Sequence, residues 1–521
     1  VLPVLIVHCC DSPHRGVTPS DFPLATLTQA QLDVLVQQPQ SVDDIYPLSP
    51  MQQGMLFHTL LEQGGGDYIN QMRLDVDGVD PQRFRAAWQA VVDAHDILRT
   101  GFFWQGDLDQ PVQVVQRHLE VPFRVLDWSA QTDLDAALQT LADDERAQGL
   151  DLSAAPLLRL ILVRTAADRH HLIYTNHHIL MDGWSSAQLL GEVLQHYSGE
   201  AVTRGAGRYR DYIAWLQRQD GAAAQAYWRA TLGNLQEPTR LANAIARPHA
   251  GLPSVGYGDH YQVLDAELSQ RLGEFARAAK VTVNTLVQAA WLLLLQRYTG
   301  KDCVAFGATV AGRPAELPGA EAQIGLFINT LPVIAAPSAQ QSVIAWLQAV
   351  QAQNLASREF EHTPLADIQR WAGQGGDALF DSLMVFENYP IGEALERGAP
   401  QGLRFGAVAN QEQTNYPLTL LVNMGAQLSV HFSYQRDSFA AASVAQLGAH
   451  LQRLLSQMAD GGERTLSALN LIEHNLPVNS DFATEQCIHQ AIARQVAATP
   501  DALAVTFAHT QLTYAALDAQ A

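Results

Sequence analysis

Asn176-His177-His178-Ile179-Leu180-Met181-Asp182-Gly183-Trp184 is the stretch on which the reading of this chain turns. Residues 170–178 alternate as a strand does, and successive side chains of a strand point to opposite faces. His178 then shares a face with Leu172, Tyr174 and Asn176, and His177 with His171, Ile173 and Thr175. Two histidines so placed do not reach one target: one faces a cleft, the other packs in its wall. Asp182-Gly183 is a turn pair. Asp182 or Ser185 can cap the helix expected over 184–197, which Ser198-Gly199 ends. A strand, a turn and a helix start bring an imidazole close to free backbone N–H groups. That combination supports acyl transfer, with histidine moving a proton near neutrality and backbone donors meeting an oxyanion. Other readings are a purely structural histidine, a metal site of His177, His178 and Asp182, or covalent catalysis. The opposed facing of the histidines disfavours the metal. The sequence has no G-x-S-x-G elbow and no cysteine in an electropositive setting, which disfavours the nucleophile.

Working outward, 156–165 and 170–178 are two apolar strands around the polar turn 166–169, a hairpin signal. Ser49-Pro50 opens a helix over 48–61, 70–76 alternates as a strand, and 81–99 is a helix burying Phe84, Trp88 and Val92. The second half repeats the mixture. It has helices at 268–279, 283–298, 342–358 and 441–458, strands at 303–310, 327–334 and 380–387, and a hairpin over 420–434. Residues 311–325 read as a loop. The fold class is α+β, and the matching element content suggests two related lobes with a cleft between them.

The chain has 521 residues, 47% of them hydrophobic and 16% charged, with a formal net charge of −21. Such a surface repels phosphates, which excludes nucleic acid as a natural partner. Cys9, Cys10, Cys303 and Cys487 form no CxxC pair, so a disulfide framework or zinc ribbon is not expected. No run of 18 apolar residues exists, and a cytoplasmic protein without a membrane span is expected. Residues 1–7 are apolar without a basic leader and read as the tail of something upstream. Residues 512–521 end inside an apparent helix.

His177-His178-x-x-x-Asp182-Gly183 resembles the HHxxxDG signature of condensation domains of non-ribosomal peptide synthetases, which share the chloramphenicol acetyltransferase fold. Tyr46-Pro47-Leu48-Ser49-Pro50-Met51-Gln52-Gln53-Gly54-Met55 resembles the family's opening motif. His95-Asp96-Ile97-Leu98-Arg99-Thr100 resembles RHExLRT, with Ala94 in place of Arg and Asp96 in place of Glu. Tyr209-Arg210-Asp211-Tyr212-Ile213-Ala214-Trp215, then Ile324-Gly325-Leu326-Phe327-Ile328-Asn329-Thr330-Leu331-Pro332, then Phe380-Asp381-Ser382-Leu383-Met384-Val385-Phe386-Glu387-Asn388 follow in the family's order. The resemblance implies a two-lobed pseudo-dimer of chloramphenicol acetyltransferase-like halves with a central cleft or tunnel.

Thr18-Pro19-Ser20-Asp21-Phe22 resembles the close of an epimerization domain, and Cys487-Ile488-His489 to Leu512-Thr513-Tyr514 the start of an adenylation domain. The implied division is 1–40 linker from an upstream epimerization-like domain, 41–220 N-terminal lobe, 221–475 C-terminal lobe, and 476–521 linker and start of an adenylation domain. The implied partners are upstream and downstream peptidyl carrier proteins and the adjoining domains, with the piece a monomer inside a multidomain chain. No cofactor is bound by the domain; carrier 4'-phosphopantetheine arms deliver the substrates. The candidate catalytic set is His178, His177, Asp182 and Gly183, with His178 toward the cleft and His177 structural. The resemblance also implies an Arg99–Asp182 ion pair. Candidate substrate contacts are Asn329, Ser185, Trp184 and Tyr209, of which Trp184 and Tyr209 are of a type more often core than contact. The expected activity is amide-bond formation by an acyltransferase, from a donor ending in a D residue. A dual condensation/epimerization domain would need HH[IL]xxxxGD upstream. The nearest match, Phe57-His58-Thr59 to Gly64-Gly65, lacks the first histidine and the aspartate. An epimerization domain's EGHGRE-like segment is also absent. A degenerate module that recruits a partner enzyme is the remaining alternative.

Overall fold

The computed structural model describes residues 16–61, 68–200, 207–245, 256–373, 378–387, 392, 395, 398–400, 402–472, 488–507 and 510–520. Residues 1–7, Gly64, Gly65, Asn388 and Cys487 lie outside the described residues. The chain divides into two units, Val1–Leu471 and Ile472–Ala521.

The first unit carries two sheets of the same construction. In one, Phe123–Asp127 runs parallel to Leu158–Arg164, which is antiparallel to Arg169–His177, which is antiparallel to Ile69–Asp77. In the other, Ser382–Glu387 runs parallel to Leu418–Met424, which is antiparallel to Leu428–Gln435, which is antiparallel to Tyr257–Val263. The flanking helices correspond as well. Pro81–Ala94 and Gly183–Ser198 follow their strands in the first lobe as Ala266–Ala279 and Ala441–Asp460 do in the second. Chain order and strand direction agree, so the lobes are two copies of one α+β plan. The hairpins and most helices lie where periodicity places them. The helix expected over 81–99 ends at Ala94, and a 3-10 turn over Asp96–Arg99 follows.

The lobes are tied by chain crossing. Arg404–Phe405 and Ala409–Gln411 leave the second lobe and pair with Ile69–Asp77 at the edge of the first sheet. Leu317, Ile324, Leu326 and Phe327, from the stretch beginning in the expected loop 311–325, are buried in the first lobe's core. The stretch expected as a linker also packs: Phe22, Leu32 and Val36 bury against Val42, Ile45, Val112 and Val114. Thr28 caps the short helix Gln29–Leu35. The second unit has a helix, Ile488–Ala498, antiparallel strands Leu503–Phe507 and Thr510–Thr513, and a helix, Tyr514–Asp518.

Gly312 marks the closest approach in the clasp. Its φ is +58°, and a Cβ there would lie 1.8 Å from the Phe327 carbonyl oxygen. Only a residue without a side chain fits. Gly312→Ala is expected to cost at least about 3 kcal/mol in urea unfolding. Gly183→Ala, where nothing lies within 4 Å, is the control, expected within about 0.5 kcal/mol of the parent.

Candidate active site

The histidine strand ends at His177, one residue earlier than expected, and His178 opens a 3-10 turn over His178–Leu180. Its backbone N–H donates to the Tyr68 carbonyl at 2.8 Å, which keeps it attached to the sheet. Gln52 supports the same turn: Ser49 and Gln52 form a capping box at the start of helix Pro50–Leu61, and Gln52 Nε2 donates to the Ile179 carbonyl at 3.3 Å.

His177 is fully buried. Its Nδ1 accepts from the Ile179 N–H at 3.1 Å, and its Nε2 is buried with no partner among the described residues. Burial, with a smaller contribution from His178, pushes its pKa down to about 3. His178 lines a cavity of about 1200 Å³ with walls from both lobes. Its Nδ1 donates to the Met181 carbonyl at 2.8 Å, which leaves Nε2 as the nitrogen with the lone pair. Burial lowers its pKa, opposed by the Met181 carbonyl and by Asp182. His178 is thus held neutral near pH 7 in one tautomer.

Asp182 is the N-cap of helix Gly183–Ser198, accepting from Ser185 N at 2.8 Å. Its other oxygen accepts from Phe327 N at 3.0 Å, and Arg313 Nη2 lies 3.2 Å away. Arg313 also donates to Ser185 Oγ at 2.7 Å and to the Gln323 carbonyl at 2.9 Å, with its guanidinium 4.2 Å over the Phe327 ring. Both charges are almost wholly buried. The clasp of 313–327 is fastened to the helix start by this pair.

Several expected roles change. Arg99 does not pair with Asp182. Its guanidinium donates to Asp96 at 3.0 Å and to the carbonyls of Val92, Gln116 and Arg117, pinning its own turn to a strand end. Asn329 is not available to substrate: Nδ2 donates to the Glu361 and Thr363 carbonyls at 2.7 Å, and Oδ1 accepts from Thr330 N. Tyr209 is buried, donating to the Leu326 carbonyl at 2.7 Å. Ser185 is buried against Gly325 and Arg313. His177 does not reach the cavity. Gly183 and Trp184 do line it, and Trp184 Nε1 donates to the Glu321 carbonyl at 3.0 Å.

Arg313 was not read from sequence, although it is the sole cation of 311–325. A lone cation in an otherwise apolar and acidic loop was the signal. Glu387 and Glu412 also line the cavity. Burial and the neighbouring Glu412 charge push Glu387 up to about 7, against a smaller opposing pull from His431. Burial likewise raises Glu412.

Residues 42–475 match the family model described as Condensation domain. The chain is 40% identical over 535 residues to one of the linear gramicidin synthase polypeptides of Brevibacillus parabrevis, covering 99% of this chain and 7% of that protein. It is 33% identical over 505 residues to tyrocidine synthase 2 of Brevibacillus parabrevis, covering 92% of this chain and 14% of that protein. It therefore spans a small part of these relatives. A four-domain nonribosomal peptide synthetase bound to AMP and glycine superposes with a TM-score of 0.73 at 20% identity, over 91% of this chain and 38% of that one. The first condensation domain of the calcium-dependent antibiotic synthetase, in complex with a substrate analogue, superposes with a TM-score of 0.66 at 20% identity, over 82% and 99%. These likenesses establish the two-lobed fold.

Asp182→Asn leaves Arg313 buried without its counter-charge and is expected to cost about 3–5 kcal/mol, read by chemical unfolding. An unchanged unfolding midpoint would remove Asp182 from its anchoring role. Glu387 gives a pH signature. Its folded pKa of about 7 lies above its ordinary 4.5. Between those values the folded chain holds a proton the unfolded chain has released, so this group's contribution to stability falls as pH rises through that window. Glu387→Gln is expected to melt with the parent at pH 4.5 and above it at pH 8; parallel pH profiles would contradict this.

Proposed function

The chain belongs to the condensation-domain family, and from that premise we propose that it joins two carrier-bound substrates of non-ribosomal peptide synthesis. The donor is a peptidyl or aminoacyl thioester, and the acceptor is an L-aminoacyl thioester with a free amine. The amine attacks the donor carbonyl, a C–N bond forms, the C–S bond breaks, and the donor arm leaves as a thiol. The attacking nitrogen loses one proton on the way. An α-amino group has a pKa of roughly 7.7–8.0, so a sizeable fraction is already neutral.

The observation that carries the reading is the state of His178. Its Nδ1 is fixed on Met181, its lone-pair nitrogen is Nε2, and it lines a cavity walled by both lobes. Nε2 receives the amine's proton or positions the amine by accepting its N–H. Asp182 has its oxygens engaged by Ser185, Phe327 and Arg313, which suits an anchor better than a base. Gly183 keeps the helix start open to substrate beside His178. Backbone N–H groups of this first turn are the candidate donors to the oxyanion. Trp184, half-buried on the same rim, is a substrate contact.

We further assign 41–220 and 221–475 as the two lobes, 1–40 as a linker from an epimerization-like domain, and 476–521 as a linker and the start of an adenylation domain. The upstream and downstream carrier proteins are the partners. The epimerization-like segment at 18–22 supports a donor ending in a D residue.

A single-turnover assay with two loaded carriers tests both parts. His178→Ala is expected to lower the rate by about 10²–10⁴-fold with an unchanged melting curve. A donor ending in a D residue is expected to react at least about tenfold faster than its L counterpart, a discrimination of about 1.4 kcal/mol. Near-normal product from His178→Ala would sink the histidine's role, and equal rates would sink the D assignment.

A further inference from the structure

Two glutamines outside the cavity stand behind the turn that carries His178. Gln113 lies on Val112–Gln116, the central strand of the three-stranded sheet it forms with Val42–Pro47 and Thr100–Phe103. It interrupts an apolar run, Val112-Gln113-Val114-Val115. Gln113 and Gln52 are both fully buried, and neither lines the cavity. A buried amide is costly unless its polar atoms are met.

Here they are met, and in one arrangement only. Gln113 Nε2 donates to the Pro47 carbonyl at 2.9 Å and to Gln52 Oε1 at 3.0 Å. Gln52 Oε1 also accepts from the Ser49 N–H at 2.9 Å. Gln52 Nε2 donates to Gln113 Oε1 at 3.4 Å and to the Ile179 carbonyl at 3.3 Å. Backbone groups fix the orientation of both amides. A backbone N–H only donates, so Ser49 meets an oxygen. Carbonyls only accept, so Pro47 and Ile179 meet nitrogens. Gln113 therefore aims the Gln52 NH₂ at the histidine turn. Ile179 is itself fully buried, so a carbonyl there that lost its donor would turn to find another. Two residues on, the Met181 carbonyl accepts from His178 Nδ1. Ile179 lies inside the loop that this bond closes, and turning its peptide moves the Met181 carbonyl relative to the imidazole.

We propose that Gln113 is a positioning residue for the condensation step: acting through Gln52 and the Ile179 carbonyl, it holds His178 in the tautomer that leaves Nε2 free to accept. Gln113 touches neither substrate nor the imidazole. The inference rests on the role given to His178 above and deepens it, because it names what selects the reacting nitrogen.

The test compares the full chain with Gln113→Met, which keeps the length of the side chain and removes its amide. Two quantities are read: the imidazole ¹⁵N spectrum at neutral pH, with His178 assigned by its loss in His178→Ala, and steady-state kinetics with two loaded carriers. The parent is expected to show a single Nδ1–H tautomer at His178. Gln113→Met is expected to show a mixture of both tautomers and a kcat about tenfold lower, with KM within about twofold. A purely structural role would lower the melting temperature and leave the tautomer of the folded chain unchanged. That unchanged tautomer, or a kcat within about twofold of the parent, overturns the proposal. If Gln113→Met does not fold, Gln113→Asn, whose amide is one methylene too short to reach Gln52, is read in the same way. The spectrum is taken without substrate, so failure of the condensation reading is distinct: the parent would then form no amide, whatever its tautomer.

Discussion

The buried ion pair between Asp182 and Arg313 is the constraint on which the site depends. Asp182 stands where the histidine turn becomes a helix, and Arg313 stands where the second lobe's loop enters the first lobe's core. Desolvating two charges is costly, and their attraction offsets that cost only where further hydrogen bonds satisfy the remaining atoms. Here they do. Asp182 receives two backbone N–H groups, and Arg313 meets Ser185 and two loop carbonyls. The pair therefore fixes a register between the helix start that follows His178 and the strap that closes over it. Its effect on the chemistry is positional.

Duplication of one lobe plan gives the cavity its walls, and loss of symmetry gives it its chemistry. Ile69 pairs with His177 in the first lobe as Tyr257 pairs with Gln435 in the second. By that register the second-lobe counterpart of His178 is Arg436. One lobe thus carries the imidazole, and the other supplies helices lined with amides. The crossing strands at 404–411 close the first sheet's edge from the second lobe, which removes a free strand edge and joins the halves in one operation.

A single physical cause acts with opposite sign on the cavity's titratable groups. Burial disfavours charge, so it lowers histidine and raises carboxylate. His178 is kept neutral and able to accept a proton, while Glu387 is shifted to near neutrality on the same cavity. The interior therefore carries less charge than its composition suggests.

The sequence by itself determined the α+β class, the hairpins and the turn bearing His178, because each is written in local periodicity and turn chemistry; the two-lobe plan came from the order of elements and from the resemblance to the family. The separation of the two histidines was also legible, although its cause is partly different: the strand stops at His177, so His178 diverges by entering a turn as well as by alternation. Tertiary structure alone decided which partner Asp182 takes. Arg99 and Arg313 are both arginines that sequence places within a plausible fold. Only packing shows that Arg99 spends its donors on nearby carbonyls and on Asp96, while Arg313 arrives from 131 residues away. Asn329 was misread for the same reason, since a polar residue in a motif looks alike whether it meets substrate or a backbone carbonyl. The hydrogen bonds of Thr285 with Gln351 and of Gln288 with Asn354 were invisible in sequence because they join helices 66 residues apart. Local sequence encodes local hydrogen bonding; which distant groups meet is decided only when the chain has packed.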